Sequence, residues 1–349
     1  MKTYCYQLRF QTPAFLGNAK QNAQWRTPPI KALLRQWWRV VLAQKVGFNV
    51  DRLRETEHDL FGVAADGGDS HQSQVRLRLS HWNEGKLKDW PSHGTVRHPE
   101  VPNPVGSDLY LGFGPLTNNR ATRSTGLKAN AALQAGDYAT LSLAVPDEHA
   151  DAIRATLALM NLYGTLGGRS RNGWGSFSLT SADGNTPALS SKLDTSLIQN
   201  LEKALERDWP HAIGSDAQGA LAWQTHPFAD WPQLMQELAR LKIGLRTQKA
   251  FQFPHERPDG QVHARHWLSY PITHHSVQAW GNNARLPNSL RFKVRPAPGD
   301  AQKLVGVIFH VPCKPPPAFN PNHNTLVCVW QKVHAFLDNN AQQLTRIPA

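Results

Sequence analysis

Cysteine and long apolar runs are both scarce in this chain of 349 residues. Its three cysteines, Cys5, Cys313 and Cys328, are far apart, and no two have the Cys-x-x-Cys spacing of redox and zinc motifs. Such usage predicts reduced thiols and a cytoplasmic protein rather than a disulfide framework. No apolar run reaches the roughly 18 residues of a membrane-spanning helix, and the opening MKTYCYQLRF lacks the apolar core of a signal peptide. We therefore expect no membrane partner.

The motifs of nucleotide-binding and hydrolytic enzymes are also missing. The chain has no Walker loop, and the Gly-Phe-Gly at Gly112 lacks the third glycine of a dinucleotide-binding turn. Serine hydrolase and thiol protease signatures are absent. His263, His266, His274 and His275 fall close together, but their spacing is not that of a common zinc site and no cysteine joins them. The sequence therefore predicts no cofactor, no metal and no small-molecule substrate.

Acidic residues are missing from three blocks of the sequence, although the whole chain carries 26 of them. Residues 1–50 contain eight lysines or arginines and no aspartate or glutamate. Residues 109–136 and 152–182 contain three basic residues each and, again, no acid. With a formal net charge of +12, this distribution favours surfaces that converge on one polyanion. A basic surface that serves solubility alone is the alternative.

Hydrophobic periodicity predicts an α+β fold. Residues 3–10 alternate between apolar and polar side chains, as in a half-buried strand, and apolar residues recur at helical spacing after Pro28. The order of elements is the ferredoxin-like βαββαβ pattern that RNA-recognition domains also use. The predicted strands and helices lie at 3–10, 27–41, 51–61, 73–80, 138–145, 146–164 and 174–179.

The chain divides into two predicted domains. The first covers residues 1–182 and includes an insertion at about 81–137, which lacks periodicity, and a glycine-rich loop at 164–175. A small, polar stretch at 181–191 is the predicted linker. Residues 192–349 form a second, less regular α+β domain, with helices at about 192–208, 231–245 and 326–337 and strands at 289–294 and 303–311.

Three basic residues of the first helix form a straight stripe. Lys31, Arg35 and Arg39 stand four residues apart on one helix face, and no acid neighbours them in the sequence. Like charges at that spacing repel, and a bound anion relieves the repulsion. An RNA backbone is the favoured anion, and a solvated face is the alternative; Lys20 and Arg26 precede the helix. Replacing Arg35 and Arg39 with alanine is expected to weaken RNA binding without unfolding the chain.

Residues 165–177, TLGGRSRNGWGSF, combine flexibility with positive charge. Glycine permits positive φ and a close approach of another backbone, and exposed amides of such a turn form an anion-binding nest. Arg169 and Arg171 add guanidinium donors that match phosphate. A phosphate chain lying on this loop accounts for both features, while a wide structural turn is the alternative. The glycines expected to shape it are Gly164, Gly167, Gly168, Gly173 and Gly175.

A few residues near these two features are weaker candidates. Trp37 is expected in the core, whereas Trp38, which borders the stripe, is either a core residue or a platform on which a base stacks. In the insertion, Arg120, Arg123 and Lys128 add positive charge without an acid among them.

Several motifs occur together and in one order. The loop after the first strand has Thr12, Pro13, Phe15 and Gly17, and the helix after it reads RTPPIKALLRQWWR. The second helix ends in ETEHDLFG, and LGGRSRNGWGSF follows later in the chain. Together these stretches resemble the RAMP superfamily of CRISPR effector proteins, and within it the first subunits of type III-B Cmr complexes.

The resemblance implies two ferredoxin-like (RRM-like, βαββαβ) domains with insertions. It also implies a non-catalytic RNA-binding subunit that contacts the guide RNA backbone near its 3′ region. Its partners would be guide RNA, target RNA and other Cmr-type effector subunits. The candidate RNA-binding residues are Lys20, Arg26, Lys31, Arg35, Arg39, Arg123, Gly167, Gly168, Arg169, Arg171 and Gly173.

Two other functions stay open at this point. Some relatives in the superfamily cut guide precursors by acid–base catalysis, usually with a histidine, which must lie within hydrogen-bond reach of the ribose. No histidine flanks the glycine loop or the basic stripe in the sequence, so we favour a subunit that is not itself a nuclease. A protein-only adaptor of the complex would differ by failing to retain single-stranded RNA.

Overall fold

The computed structural model describes residues 1–64, 70–119, 124–254, 259–281 and 283–348. Helices and strands are mixed along the chain, and two four-stranded antiparallel sheets dominate the fold. The predicted α+β class is therefore confirmed. Arg120 and Arg123 lie outside the described residues. Within the described ranges, every helix is too short or too polar to cross a lipid bilayer.

The first sheet is built around its first strand. Tyr4, Tyr6, Leu8 and Phe10 alternate into the core, as the period of two predicts. The elements of this first half are β1 (Lys2–Phe10), α1 (Thr27–Ala43), α2 (Val50–Phe61), β2 (Arg76–Leu79), β3 (Thr95–Val96), β4 (Val105–Gly106), α3 (Ser107–Gly112), β5 (Leu116–Asn119), β6 (Ser124–Leu127), β7 (Tyr138–Val145), α4 (Ala150–Tyr163) and β8 (Phe177–Ser181).

The strand order of this sheet is β2-β7-β1-β8. Counted along the chain, its four strands therefore stand in the order second, third, first, fourth. Helices α1 and α2 connect the first strand to the second, and α4 connects the third to the fourth. This succession is that of a ferredoxin-like unit.

Helix α1 begins with proline in its first turn and buries one face in the core. Trp37 and Trp38 both belong to that face and are 1% and 0% exposed. The Trp38 ring meets Phe61 edge-on, with 5.4 Å between ring centroids. The hypothesis that Trp38 stacks on a base is therefore wrong, because the ring has no exposed surface.

The insertion at 81–137 carries more order than its sequence suggests. Strands β3 and β4 form one short hairpin and β5 and β6 form another, with α3 between them. Leu111 and Leu116 have no exposed surface and pack in the same apolar cluster as Trp174. The insertion is thus anchored in the body of the protein.

The second half contains a sheet with the same order. Its strands stand as β13-β14-β12-β15, again second, third, first, fourth along the chain, and a three-stranded sheet β11-β10-β9 lies beside it. The elements are β9 (Ile198–Asn200), α5 (Leu201–Ala204), β10 (Ile213–Asp216), β11 (Gly219–Ala220), β12 (Ala222–Thr225), α6 (Trp231–Arg246), β13 (Leu290–Ala297), β14 (Asp300–His310), α7 (His323–Asn339) and β15 (Leu344–Arg346).

The helix predicted over 192–208 is wrong. Only Leu201–Ala204 is α-helical there, after a short 3-10 turn and strand β9. The side chains of Asp194 and Asn200 accept hydrogen bonds from the amides of Ser196 and Glu202. Each of these side chains begins a new turn, and this local bonding competes with a continuous helix.

The two halves share their hydrophobic cores. Val307 and Phe309 of β14 belong to the apolar cluster that fills the first half. Conversely, Leu111 and Trp174 of the first half belong to the cluster that fills the second. The division of the chain into domains at about 182–192 stays a prediction.

Candidate nucleic-acid interface

The arginines of α1 bind an acid on α2. Arg35 Nε donates to Glu57 Oε1 at 2.7 Å, and Arg39 Nη2 donates to the same oxygen at 2.6 Å. Arg39 Nε donates to the second oxygen, Oε2. Glu57 is only 3% exposed. The expectation that the basic stripe lacks an acid is therefore wrong, because the neighbouring helix supplies one.

These contacts hold α2 against α1. Burial alone would raise the pKa of Glu57, but the hydrogen bonds from Arg39 and Arg35 outweigh it and lower the pKa, so the carboxylate is charged. The third member of the stripe, Lys31, donates from Nζ to the carbonyl of Phe61 at 2.9 Å. Burial, together with the charge of Arg35, lowers the pKa of Lys31.

The sequence analysis missed Glu57, although its position is informative. Glu57 follows Leu53 by four residues and precedes Leu60 by three, and both leucines are buried. It therefore falls on the apolar face of α2. An acid at such a position is costly unless a basic partner is nearby, and this signal can be read from the sequence.

The outward edges of Arg35 and Arg39 line a surface groove, which we call the α1 groove. Their side chains are 34% and 44% exposed. The facing wall belongs to the glycine loop, and the groove has a volume of about 510 Å³. The structure thus brings together two features that lie far apart in the sequence. The groove is lined by Pro29, Ala32, Leu33, Arg35, Gln36, Arg39, Thr165, Leu166 and Gly167.

The glycine loop, residues 164–175, is held by the loop that follows β1. The amide of Gly168 donates to the carbonyl of Phe15 at 3.0 Å, and the amide of Gly175 donates to the carbonyl of Pro13 at 2.8 Å. Thr12 Oγ1 donates to the carbonyl of Gly173 at 2.8 Å. The amides of Gly168 and Gly175 are therefore closed to an anion, contrary to the predicted nest.

Glycine is required at two positions of this loop. Gly167 has a φ of 94°, and a Cβ there would lie 2.7 Å from the carbonyl oxygen of Phe15. Gly175 has a φ of 64°, and a Cβ there would lie 1.8 Å from the carbonyl oxygen of Leu166. The glycines thus shape the wall of the α1 groove, which is a structural role.

The two arginines of the loop point to different places. Arg169 is exposed, and its guanidinium lies so close to Gly114 that a Cβ on that glycine would be 3.5 Å from Nη2. Arg171 is half-buried and donates from Nη1 to the carbonyl of Asn288 at 3.1 Å. Burial lowers the pKa of Arg171. Of these two arginines, Arg169 is the one exposed to a ligand from solvent. The predicted phosphate contact of Arg171 conflicts with its position, because its guanidinium lies against Asn288 of the second half.

The remaining candidates lie before α1 or outside the described residues. Lys20 is exposed, in a turn where its amide donates to Asn18 Oδ1 at 2.9 Å. Arg26 is half-buried, and its Nε has no hydrogen-bond partner among the described residues. Neither residue lines the α1 groove. The structural context of Arg123 is not described.

Lys293 is a second residue that the sequence analysis missed, and it joins the two halves. Its Nζ, fully buried, donates to the carbonyls of Met160, Gly164 and Phe177, at 3.1, 2.7 and 2.7 Å. Burial lowers its pKa well below the usual value. Two of these carbonyls, those of Met160 and Gly164, lie at the C-terminal end of α4, so the lysine of β13 caps that helix. Nearby, Gly173 lies against Met235 of α6.

The histidine cluster lies away from the α1 groove. His263 contacts Asp259 at 2.8 Å, and His266 contacts the carbonyl of His275 at 3.0 Å. The described residues that line the groove include no histidine. In the part of the chain that the structure describes, no three histidine, cysteine or acidic side chains come together in a way that would hold a metal ion.

Comparison with known families identifies the family to which the segment around the α1 groove belongs. A model described as the RAMP superfamily matches residues 7–178, from β1 into β8. Residues 7–178 belong to the RAMP superfamily. The resemblance inferred from the motifs is therefore confirmed, and the α1 groove lies wholly within the RAMP segment. No curated protein matches the sequence.

Solved structures of CRISPR proteins are similar to this chain over much of its length. They include the apo crystal structure of Cmr1 from Pyrococcus furiosus, with 15% identity and a TM-score of 0.48, covering 100% of this chain and 99% of that one. A chain of the type III-B Cmr-beta complex bound to cognate target RNA has 12% identity and a TM-score of 0.49, covering 95% and 98%. These values are too low to transfer a function to this RAMP protein.

Proposed function

We propose that this RAMP protein is a non-catalytic RNA-binding subunit of a type III CRISPR RNA-guided complex, built from two ferredoxin-like domains. It contacts the guide RNA backbone near the 3′ region. The observation that carries the proposal is the α1 groove, in which Arg35, Arg39 and the glycine loop face one channel. Guanidinium groups at the wall of a groove match the geometry of phosphate.

The charge of the chain supports a polyanionic ligand. The formal net charge is +12, and none of the described residues that line the α1 groove is acidic. Glu57 neutralises one of the two arginine charges from behind, so the groove keeps a net positive charge toward solvent. Contacts of this kind bind the backbone without reading the bases.

The proposed partners are guide RNA, target RNA and other Cmr-type subunits, in the cytoplasm. Similar structures include subunits of Cmr complexes bound to target RNA. A role in positioning RNA rather than cutting it fits the groove, whose titratable lining residues are the two arginines. General acid–base cleavage needs a group that exchanges protons near neutral pH within reach of the ribose.

The proposal is tested by placing one negative charge in the groove. Gln36 lines the α1 groove and forms no hydrogen bond with Glu57 among the described residues, so Gln36→Glu adds a negative charge to the groove surface and leaves the Glu57 carboxylate in place. Gln331→Glu, on the exposed face of α7, is the matched control with the same change in net charge. Affinity for a single-stranded RNA is measured by fluorescence anisotropy.

We expect Gln36→Glu to weaken RNA binding by about fivefold or more, since like charges about 4 Å apart cost about 1 kcal/mol even in water. Gln331→Glu should bind as the parent chain does. Equal losses in both variants would show that only net charge matters. If the parent chain retains no RNA at low salt, the proposal fails and the alternative of a protein-only adaptor is favoured. Site-specific cleavage of RNA by the purified chain would instead favour the alternative of a nuclease.

A further inference from the structure

A second recess lies on the other side of the glycine loop. Its volume is about 520 Å³, within the range of pockets that hold small molecules. Phe15, Gly17, Gly114, Pro115 and Gly168 are among its walls. Among the described residues that line it, none is acidic and none is a histidine. The recess therefore suits an apolar or electron-rich group rather than a metal or a cationic ligand.

The recess adjoins the α1 groove across the backbone of the glycine loop. Gly167 lines the groove and its neighbour Gly168 lines the recess, so one peptide unit separates the two. A Cβ on Gly168 would lie 3.0 Å from Pro115 Cγ, so a larger residue there would crowd the wall of the recess beside the glycine loop. A strand that runs along the groove and crosses the glycine loop can thus place a side group in the recess.

The wall and rim of the recess have the chemistry of a base-binding site. The Phe15 ring is fixed by two tryptophans, with centroid distances of 5.9 Å to Trp90 and 5.4 Å to Trp174. Positive charge stands at the edge, where the Arg169 guanidinium lies beside Gly114 and exposed Lys128 lines the recess. Aromatic walls with cations beside them are typical of sites for single-stranded nucleic acid.

We propose that this recess holds one unstacked nucleobase of the RNA strand that lies in the α1 groove, an inference that rests on the proposed function. The base packs against Phe15 and Pro115, and its adjoining phosphate lies near Arg169. Gln21, also a lining residue, presents a side-chain amide to the edge of the base. An amide both donates and accepts, so it pairs with any base edge.

The test fills the recess without disturbing the loop. Gly17 has no positive φ, and a Cβ there would meet only Gln21 within 4 Å, at 3.7 Å from Oε1. Gly17→Leu therefore places an apolar side chain in the recess. Gly126→Leu is the matched control, because a Cβ on Gly126 meets nothing within 4 Å and Gly126 does not line the recess. Ala129→Leu fills the recess from another wall should Gly17→Leu fail to fold.

Each protein is titrated with a 12-nucleotide RNA and with an abasic strand of equal length over a range of salt. We expect the parent chain to bind the normal RNA about tenfold more tightly than the abasic strand, as stacking of roughly one base gives. Gly17→Leu or Ala129→Leu should reduce that ratio at least about fivefold, with the salt dependence unchanged. Gly126→Leu should keep the parent ratio.

The outcomes separate this inference from the proposed function. If the filled variants keep the parent ratio while all proteins bind RNA in a salt-dependent way, the recess is not a base site and the backbone groove stands. If both strands bind the parent chain equally, the base site is refuted likewise. If the parent chain binds neither strand, the proposed function fails and the base site with it.

Discussion

Glu57 makes it possible to separate the structural role of the α1 arginines from their role in RNA binding. Replacing Arg35 and Arg39 with alanine leaves this carboxylate, whose side chain is 5% exposed, without either partner. Removing one side of a buried ion pair costs about 3–5 kcal/mol. That is a large part of a typical unfolding free energy of about 5–15 kcal/mol. We therefore expect the double variant to be markedly less stable than the parent chain, whereas the sequence analysis expects only that it does not unfold.

A triple variant that also removes the charge of Glu57 separates the loss of stability from the loss of RNA binding. In Arg35→Gln/Arg39→Gln/Glu57→Gln the buried acid is gone, so we expect about 2–3 kcal/mol of the lost stability to return relative to the double glutamine variant. RNA binding should stay weak, and the slope of log affinity against log salt should flatten by about 1 to 1.5, for two lost contacts of about 0.7 each. Urea unfolding followed by tryptophan fluorescence and salt-dependent anisotropy measure the two effects.

The single variant Glu57→Gln should change RNA affinity in the opposite direction. The two guanidiniums, still partly exposed, lose the acid that neutralises them, and the groove gains one net positive charge. RNA affinity should rise at low salt while stability falls modestly. The reasoning is refuted if the arginine double variant has the same free energy of unfolding as the parent chain. It is also refuted if the triple variant recovers full RNA affinity together with its stability, because the arginines would then act through folding alone.

Two further predictions concern stability. Gly175→Ala forces a positive φ of 64° and a contact of 1.8 Å with the Leu166 carbonyl, so it should lower the unfolding midpoint strongly, whereas Gly126→Ala should not. Burial lowers the pKa of His334 from 6.5 to about 3. Its folded pKa lies below the unfolded one, so the stability from the neutral ring is present above pH 6.5 and is lost as pH falls toward 3, by up to about 1.4 kcal/mol per pH unit. His334→Gln should flatten the slope of unfolding free energy between pH 7 and pH 5, and an unchanged slope would contradict the assignment.

Periodicity in the sequence predicts the long elements well. Apolar residues recur at a regular period along β1 and α1, over several pleats or turns. The observed bounds of these two elements lie close to those predicted. Strands β12 and β15 have only 4 and 3 residues, too few for alternation to be visible. They are set instead by pairing with partners far along the chain, such as β14 for β12.

The distribution of charged residues along the sequence predicts the candidate site less well than periodicity predicts the fold. Counting acids within residues 1–50 correctly singled out a basic stripe, but Glu57 lies just beyond that block and folds back onto it. Arg171 shows the same limit, since the strand that buries it comes more than a hundred residues later and its contact is Asn288. Linear charge balance describes neighbours in sequence, whereas ion pairs form between neighbours in space.

The contacts of Lys293 in β13 determine whether this protein can be studied as separate fragments. A fragment that ends near residue 182 would leave the carbonyls of Met160, Gly164 and Phe177 without their shared donor. It would also expose the apolar surface that Phe309 covers. Loss of RNA binding by such a fragment would report a collapsed scaffold rather than a missing contact. Point substitutions in the intact chain are therefore the informative way to map its ligand.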